Sequence, residues 1–152
     1  MRLKINTFFV LFFSFVLFGF ASLENIRVVD GDTIRARVDG EEIKIRLVDI
    51  DAPEIGQPFG DKSKNFLNKL LYDKKVTLLA EGKDRYGRVL GNIFSNQSNV
   101  NAMMVKFGFA WVYEKYAKNP SLYKYQNQAK RKNLGLWRDN DPIAPWVWRK
   151  QK

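Results

Sequence analysis

Thr33-Ile34-Arg35-Ala36-Arg37-Val38-Asp39-Gly40-Glu41-Glu42-Ile43-Lys44-Ile45-Arg46-Leu47 alternates apolar and polar residues on both sides of an Asp-Gly pair. Successive side chains of a strand point to opposite faces, so Ile34, Ala36 and Val38 share one face and Thr33, Arg35 and Arg37 the other. Ile43, Ile45 and Leu47 repeat the pattern against Lys44 and Arg46. Asp-Gly between two such runs is the signature of a hairpin with a primed turn, where glycine accepts positive φ. Upstream, Ile26-Arg27-Val28-Val29 leads through the turn residues Asp30-Gly31-Asp32 into the same hairpin. The three runs together predict an antiparallel meander.

Working outward, residues 49–60 carry Pro53, Gly56, Pro58 and Gly60 and read as a loop. Phe66, Leu67, Leu70 and Leu71 then form a helical stripe over Lys-rich neighbours. Val76 to Ala80 reads as a fourth strand, Gly82 to Gly87 as a polar loop, Val89 to Phe94 as a fifth strand, and Asn96 to Asn99 as a turn. Val100, Met103, Met104 and Phe107 fall at helical spacing, which makes both methionines core residues, and Gly108 is placed to end that helix. Asn119-Pro120 reads as an N-cap followed by proline at the first helical position, with the helix running to about Asn133 and Gly135 as its stop. Its Lys/Arg-rich stretch from Lys124 to Lys132 reads as a solvated face. The order βββ-α-ββ-α-α predicts an α+β protein: a five-stranded barrel of the OB-fold type with three α-helices.

The chain has 152 residues and reads as one domain after an N-terminal leader. Arg2 and Lys4 precede a continuous apolar run from Phe8 to Ala21, broken only by Ser14, that ends in the small residues of a signal-peptidase site. The expected organisation is a signal peptide over 1–21 and a single domain over 22–152. The product is then secreted or periplasmic, without stable membrane association, and monomeric. An uncleaved anchor is the other reading of the same run, although it is short for a membrane span. The 26 Lys and Arg against 16 Asp and Glu give a formal charge of +10, which favours a polyanionic partner. The chain has no Cys and no His. Disulfides, thiolate zinc sites, cysteine nucleophiles, Ser-His-Asp triads and His-ligated metals are thereby excluded. A hydrolase built from these residues must move protons with carboxylates. Any metal site would offer oxygen ligands and suit Ca²⁺ or Mg²⁺.

Three charged clusters could carry such chemistry. They are Asp30-Gly31-Asp32-Thr33; Arg46-Leu47-Val48-Asp49-Ile50-Asp51-Ala52-Pro53-Glu54; and Asp84-Arg85-Tyr86-Gly87-Arg88. Each alone reads as an ordinary turn or solvated loop. In this order and spacing the chain resembles the thermonuclease family, the staphylococcal-nuclease-like proteins. The resemblance rests on Val29 to Thr33, on Arg46 followed at five residues by Asp51 and at eight by Glu54, and on Asp84 to Arg88. It continues through Asn101-Ala102 and Gly108-Phe109-Ala110 to Leu134-Gly135-Leu136-Trp137. The closing Pro142 to Arg149 resembles the tail of secreted bacterial members.

The resemblance implies a calcium-dependent endonuclease that hydrolyses phosphodiester bonds of DNA and RNA with little sequence preference, leaving 3′-phosphates. It implies Asp32 and Asp51 as carboxylate ligands of Ca²⁺, with Ala52 supplying a backbone carbonyl. It implies Glu54 as general base, and Arg46 and Arg88 as the phosphate-gripping pair. Arg85, Tyr86 and Tyr113 would contact substrate, with Tyr116 the alternative to Tyr113. Two departures stand out. The staphylococcal enzyme has Thr where this chain has Ala52, which keeps the carbonyl and loses a hydroxyl. The length also differs around Trp111 to Tyr116, so the tyrosine register stays open, and ordinary packing is the other reading of both rings. Trp137, Trp146 and Trp148 are expected to pack the tail onto the barrel. The alternative function is a non-catalytic OB-fold nucleic-acid-binding module, but such a module has no use for Asp32, Asp51 and Glu54 beside a polyanion.

Overall fold

The computed structural model describes residues 19–151, so all but the last three residues of the expected leader lie outside the described residues. A two-residue strand, β1 (Ala21–Ser22), precedes the meander β2 (Glu24–Val28), β3 (Thr33–Val38) and β4 (Glu41–Leu47). The hairpin is the one the alternation predicts: Val38 pairs with Glu41, and Asp39 and Gly40 both take positive φ, 50° and 85°. A short strand β5 (Ile50–Asp51) follows, then α1 (Gly60–Leu71), β6 (Val76–Lys83), β7 (Val89–Ser95), β8 (Ser98–Asn99) and α2 (Val100–Lys106). The chain finishes with β9 (Trp111–Val112), α3 (Ser121–Arg131), a 3₁₀ turn over Gly135–Arg138 and the four-residue α4 (Pro145–Trp148).

The main sheet has the order β1-β6-β7-β4-β3-β2, with β4 and β7 parallel and β8 folded back on β7. Its two ends, β1 and β2, are separated in sequence by Leu23 alone. A residue spans at most about 3.6 Å of chain, so the ends of the sheet must come together and the sheet rolls into a barrel. Leu23 sits on the seam with its N–H on the carbonyl of Val76 (3.0 Å). The five long strands are the five that the sequence predicts, and the α+β barrel with three principal helices is the expected OB-fold.

The barrel interior takes the predicted face. Ile34, Ala36, Ile45, Leu47, Leu78 and Ile93 are buried, closed over by Leu67 of α1 and Met104 of α2. Each such Leu or Ile contributes about 1.5–3 kcal/mol by leaving water. Among the described residues, no helix is long and apolar enough to cross a membrane.

Four local readings change. Strand β6 runs on to Lys83, so the loop expected from Gly82 begins only at Asp84; the extra length is absorbed by a bulge between Ala80 and Gly82. Two residues of the expected loop 49–60 form β5, which pairs with β9. A two-residue strand is too short for alternation to reveal. Helix α3 is stopped by Asn133, at φ 49°, rather than by Gly135, and the N–H of Leu134 reaches back to the carbonyl of Ala129 (3.0 Å). Gly135 serves a different contact: its backbone crosses that of Gly108, whose carbonyl accepts from the N–H of Leu136 (2.8 Å). Lys130, within the expected solvated face, places its Nζ over the rings of Trp137 (4.6 Å) and Trp111 (5.6 Å).

Candidate active site

The first cluster is a tight turn pressed onto the second. Asp30 Oδ1 accepts from the N–H of Asp32 (3.0 Å), and Thr33 Oγ1 donates to Asp32 Oδ1 (3.1 Å). Gly31 is required by proximity: a Cβ there would lie 2.6 Å from the Cβ of Ala52 and 2.8 Å from that of Ser63. The close approach lets Asp32 Oδ2 accept from the N–H of Ala52 (2.7 Å), so two segments twenty residues apart share one carboxylate.

Arg46 joins the clusters. It lies opposite Thr33 in the ladder. Its Nε meets Asp32 Oδ1 (3.1 Å) and its Nη2 meets Asp51 Oδ1 (3.1 Å), while Nη1 donates to the carbonyl of Ile50 (2.9 Å). Asp32 and Asp51 are both buried, 6% and 1% exposed, a state carboxylates reach only when paired. Burial pushes Asp51 above the usual carboxylate range; Arg149 and Arg46 pull it back, and the charge of Asp32 pushes the same way as burial. Burial and then the charge of Asp32 push Asp30 up to about 6.

Glu54 follows on a loop held by Gln57, a buried polar residue that the sequence reading did not single out. Gln57 Oε1 accepts from the N–H of Glu54 (2.9 Å), and Gln57 Nε2 donates to the carbonyl of Ile143 (2.7 Å). The tail thus reaches the loop, and Arg149 completes the site. Its Nη2 lies 2.7 Å from Asp51 Oδ2, and its Nη1 lies 3.2 Å from Asp51 Oδ1 and 2.6 Å from Glu54 Oε1. Bonding to Asp51 raises the pKa of Arg149 above its ordinary value against the opposing effect of burial, and bonding to Glu54 adds to the rise.

Arg88 stands two residues before Leu90, the ladder partner of Arg46, so period two places it toward the same sheet face as Arg46. Its Nε is held by Asp84 Oδ2 (2.7 Å). Arg85 and Tyr86 occupy the exposed turn before it, with the guanidinium carbon 4.8 Å from the Tyr86 ring centroid. Tyr113 lies beside the carboxylate loop, its N–H on the carbonyl of Asp49 (2.9 Å). Its ring meets Tyr116 edge-on (4.9 Å) and stacks almost flat on Trp146 (5.5 Å, 9°). The structure therefore gathers Asp32, Arg46, Asp51, Ala52, Glu54 and Arg149 into one bonded group. Arg88, Arg85 and Tyr86 form a second group on the adjoining turn, and Tyr113 and Trp146 an aromatic flank.

Among the described residues, no group of three or more carboxylates forms a ready metal cage. The donor set nonetheless fits a hard cation: Asp32 and Asp51 share a cationic partner at 3.1 Å each, and burial of the pair calls for positive charge.

The model of the family described as "Staphylococcal nuclease homologue" matches residues 44–139. The chain belongs to the staphylococcal nuclease family. An "uncharacterized endonuclease" of Haemophilus influenzae is 45% identical over 128 residues, 84% of this chain and 72% of that one. A protein named micrococcal nuclease from Shigella flexneri is 40% identical over 138 residues, 84% of this chain and 79% of its own length. A staphylococcal-like nuclease of Arabidopsis thaliana is 40% identical over 112 residues, which make up 35% of that longer protein. The family match opens at Lys44, beyond the Asp30-to-Thr33 turn. Asp32 therefore enters this staphylococcal-nuclease-like site through its bonds to Ala52 and Arg46.

Proposed function

We propose that the protein is a calcium-dependent endonuclease that hydrolyses phosphodiester bonds of DNA and RNA. The observation that carries the reading is the bonded group itself: two buried carboxylates bridged by Arg46, with Glu54 on a fixed loop three residues beyond Asp51. The relatives that bear nuclease names support the same reading.

Asp32, Asp51 and the carbonyl of Ala52 are the groups that would hold calcium. Bound there, the ion supplies a Lewis acid that polarises a phosphoryl oxygen. Glu54 accepts a proton from the attacking water as the water oxygen bonds to phosphorus and the bond from phosphorus to the 5′ oxygen breaks; the 5′ oxygen takes up a proton from solvent, and the 3′ side keeps the phosphate. Arg88 and, once released from Asp32 and Asp51, Arg46 offer planar forks to the equatorial oxygens as charge accumulates on them. Each donor aimed at that charge is worth about 3–4 kcal/mol of barrier. Arg85 and Tyr86, exposed on the neighbouring turn, and Tyr113 line the path of the strand.

Activity on single- and double-stranded DNA and on RNA is expected to require calcium and to vanish in excess EDTA. Magnesium, with its rigid octahedral demand, is expected to restore little of it. Full cleavage in EDTA would remove the ion from the reaction; binding without cleavage in calcium would favour the non-catalytic module.

We also propose that residues 1–21 are a leader removed on export to the periplasm or medium. N-terminal sequencing of exported protein is expected to start at Ser22, and recovery of intact residues 1–21 would assign them to an anchor instead.

A further inference from the structure

The tail from Pro142 to Arg149 is fastened to the catalytic half at successive points. The carbonyl of Ile143 accepts from Gln57, Ala144 and Pro145 are buried, and Trp146 packs flat on Tyr113 and edge-on to Trp111 (5.6 Å, 76°). The short α4 then delivers Arg149 to the carboxylates. Its guanidinium spans both oxygens of Asp51 and reaches Glu54, while its side chain remains 40% exposed against 2% for that of Asp51. Asp51 is thus held twice, by the more exposed Arg149 and by the more deeply buried Arg46, which ties it to Asp32.

An ion on Asp51 and a guanidinium on the same two oxygens compete for one set of lone pairs and repel each other. Glu54 is likewise engaged through Oε1, and the guanidinium on it lowers its power to take a proton from water. An arginine displaced from a carboxylate needs another pair of anionic oxygens, and the two non-bridging oxygens of a phosphodiester suit its bidentate fork. We propose that Arg149 is a third phosphate-binding arginine that occupies Asp51 and Glu54 in the resting protein and passes to the nucleic-acid phosphate when the ion enters. The proposal rests on the calcium reading given above. Its consequence is that ion and substrate load together: each frees the partner that the other needs, and the coupling is equal in both directions.

The test is calorimetric titration of calcium into the wild-type protein, Arg149→Ala and Arg149→Lys. Each is measured alone and with saturating thymidine 5′-monophosphate, which carries a phosphate but no diester to cleave. Arg149→Ala alone is expected to bind calcium about tenfold more tightly than wild type, within the usual range of couplings. Arg149→Lys, which keeps the charge and loses the fork, is expected to fall between them. The nucleotide is expected to tighten calcium binding to wild type about fivefold or more, and that gain is expected to be largely lost in Arg149→Ala. Calcium affinity in Arg149→Ala equal to or weaker than wild type would overturn the proposal and leave the calcium reading standing. So would an undiminished nucleotide effect. Absence of calcium binding in all three proteins would overturn both. Thermal melting of the variants, expected within a few degrees of wild type for a partly exposed tail residue, confirms that the comparison is between folded proteins.

Discussion

Glu54→Gln is expected to lower kcat by at least about 10²-fold, the lower end of what a positioned general base contributes. The substitution keeps shape and volume but cannot accept the proton of the attacking water. The loop should hold its place, because its anchors are the backbone N–H of Glu54 on Gln57 and the contact of Gln57 with Ile143, neither of which uses the Glu54 carboxylate. Calcium and nucleotide affinities are therefore expected to stay within about tenfold, since a base acts mainly in the transition state. Removing one charge from a crowded acidic loop would by itself favour stability. Here Glu54 also pairs with Arg149, so the two effects offset and melting should shift little. The measurement is kcat on single-stranded DNA beside a calcium titration of the same variant. A near wild-type kcat with intact binding would leave Glu54 as an ordinary loop carboxylate. Joint collapse of calcium binding and activity would make it a metal ligand.

Asn101→Ala should cost about 3 kcal/mol of folding stability and lower the melting temperature by about 10 °C. The side chain is 1% exposed and uses both ends of its amide. Oδ1 accepts from the N–H of Ile93 (3.1 Å), and Nδ2 donates to the carbonyls of Val48 (3.0 Å) and Gly91 (3.2 Å). These bonds tie α2 to β7 and to the turn between Leu47 and Ile50, the turn that sets Arg46 relative to Asp51. Truncation takes these partners from the buried N–H of Ile93 and the carbonyl of Val48, each costing about 1–3 kcal/mol, while the carbonyl of Gly91 keeps the N–H of Val48 (3.1 Å). Asn99→Ala is the internal comparison. Asn99 caps α2 by accepting from the N–H of Ala102 (2.8 Å), and losing a cap costs about 1 kcal/mol. Equal effects of the two substitutions in denaturant titrations would refute the special weight given to Asn101.

The parts of this fold that sequence made legible are those written in neighbouring residues. Alternation over Thr33 to Leu47 is a local consequence of the pleat, Asp39-Gly40 states its own turn, and Gly108 marks the end of α2 in the chemistry of one residue. The second kind of feature depends on partners far apart in the chain. Ile50-Asp51 becomes a strand only because Trp111-Val112 lies beside it. Gln57 looks like one more loop amide until Ile143, eighty-six residues on, supplies its acceptor. In the candidate site, Asp32, Arg46, Asp51, Ala52 and Glu54 were legible together because spacing and residue type agree, and the bonds among them follow. Arg149 was not. It closes the Trp146-Val147-Trp148 run of the tail and is followed directly by Lys150, so nothing local marks it as a site residue, and its partners lie ninety-five and ninety-eight residues away. Trp146 was expected to pack and does, but the surface it packs on is Tyr113, so the tail shapes the flank of the site as well as covering the barrel.

The seam of the barrel at Leu23 sets a timetable. Ala21 and Ser22 are hydrogen-bonded in the sheet opposite Leu78 and Thr77, so the bond proposed for leader removal lies inside a paired strand of the finished molecule. A peptidase takes a peptide bond from an extended chain with free backbone groups. If the leader is removed there, cutting between Ala21 and Ser22 must precede the arrival of β6, and a chain that closed its barrel first would keep its leader. Maturation and folding are then competing clocks. A mutation that speeds barrel closure without touching the leader would slow processing, and the ratio of uncut to cut protein would record which clock ran faster.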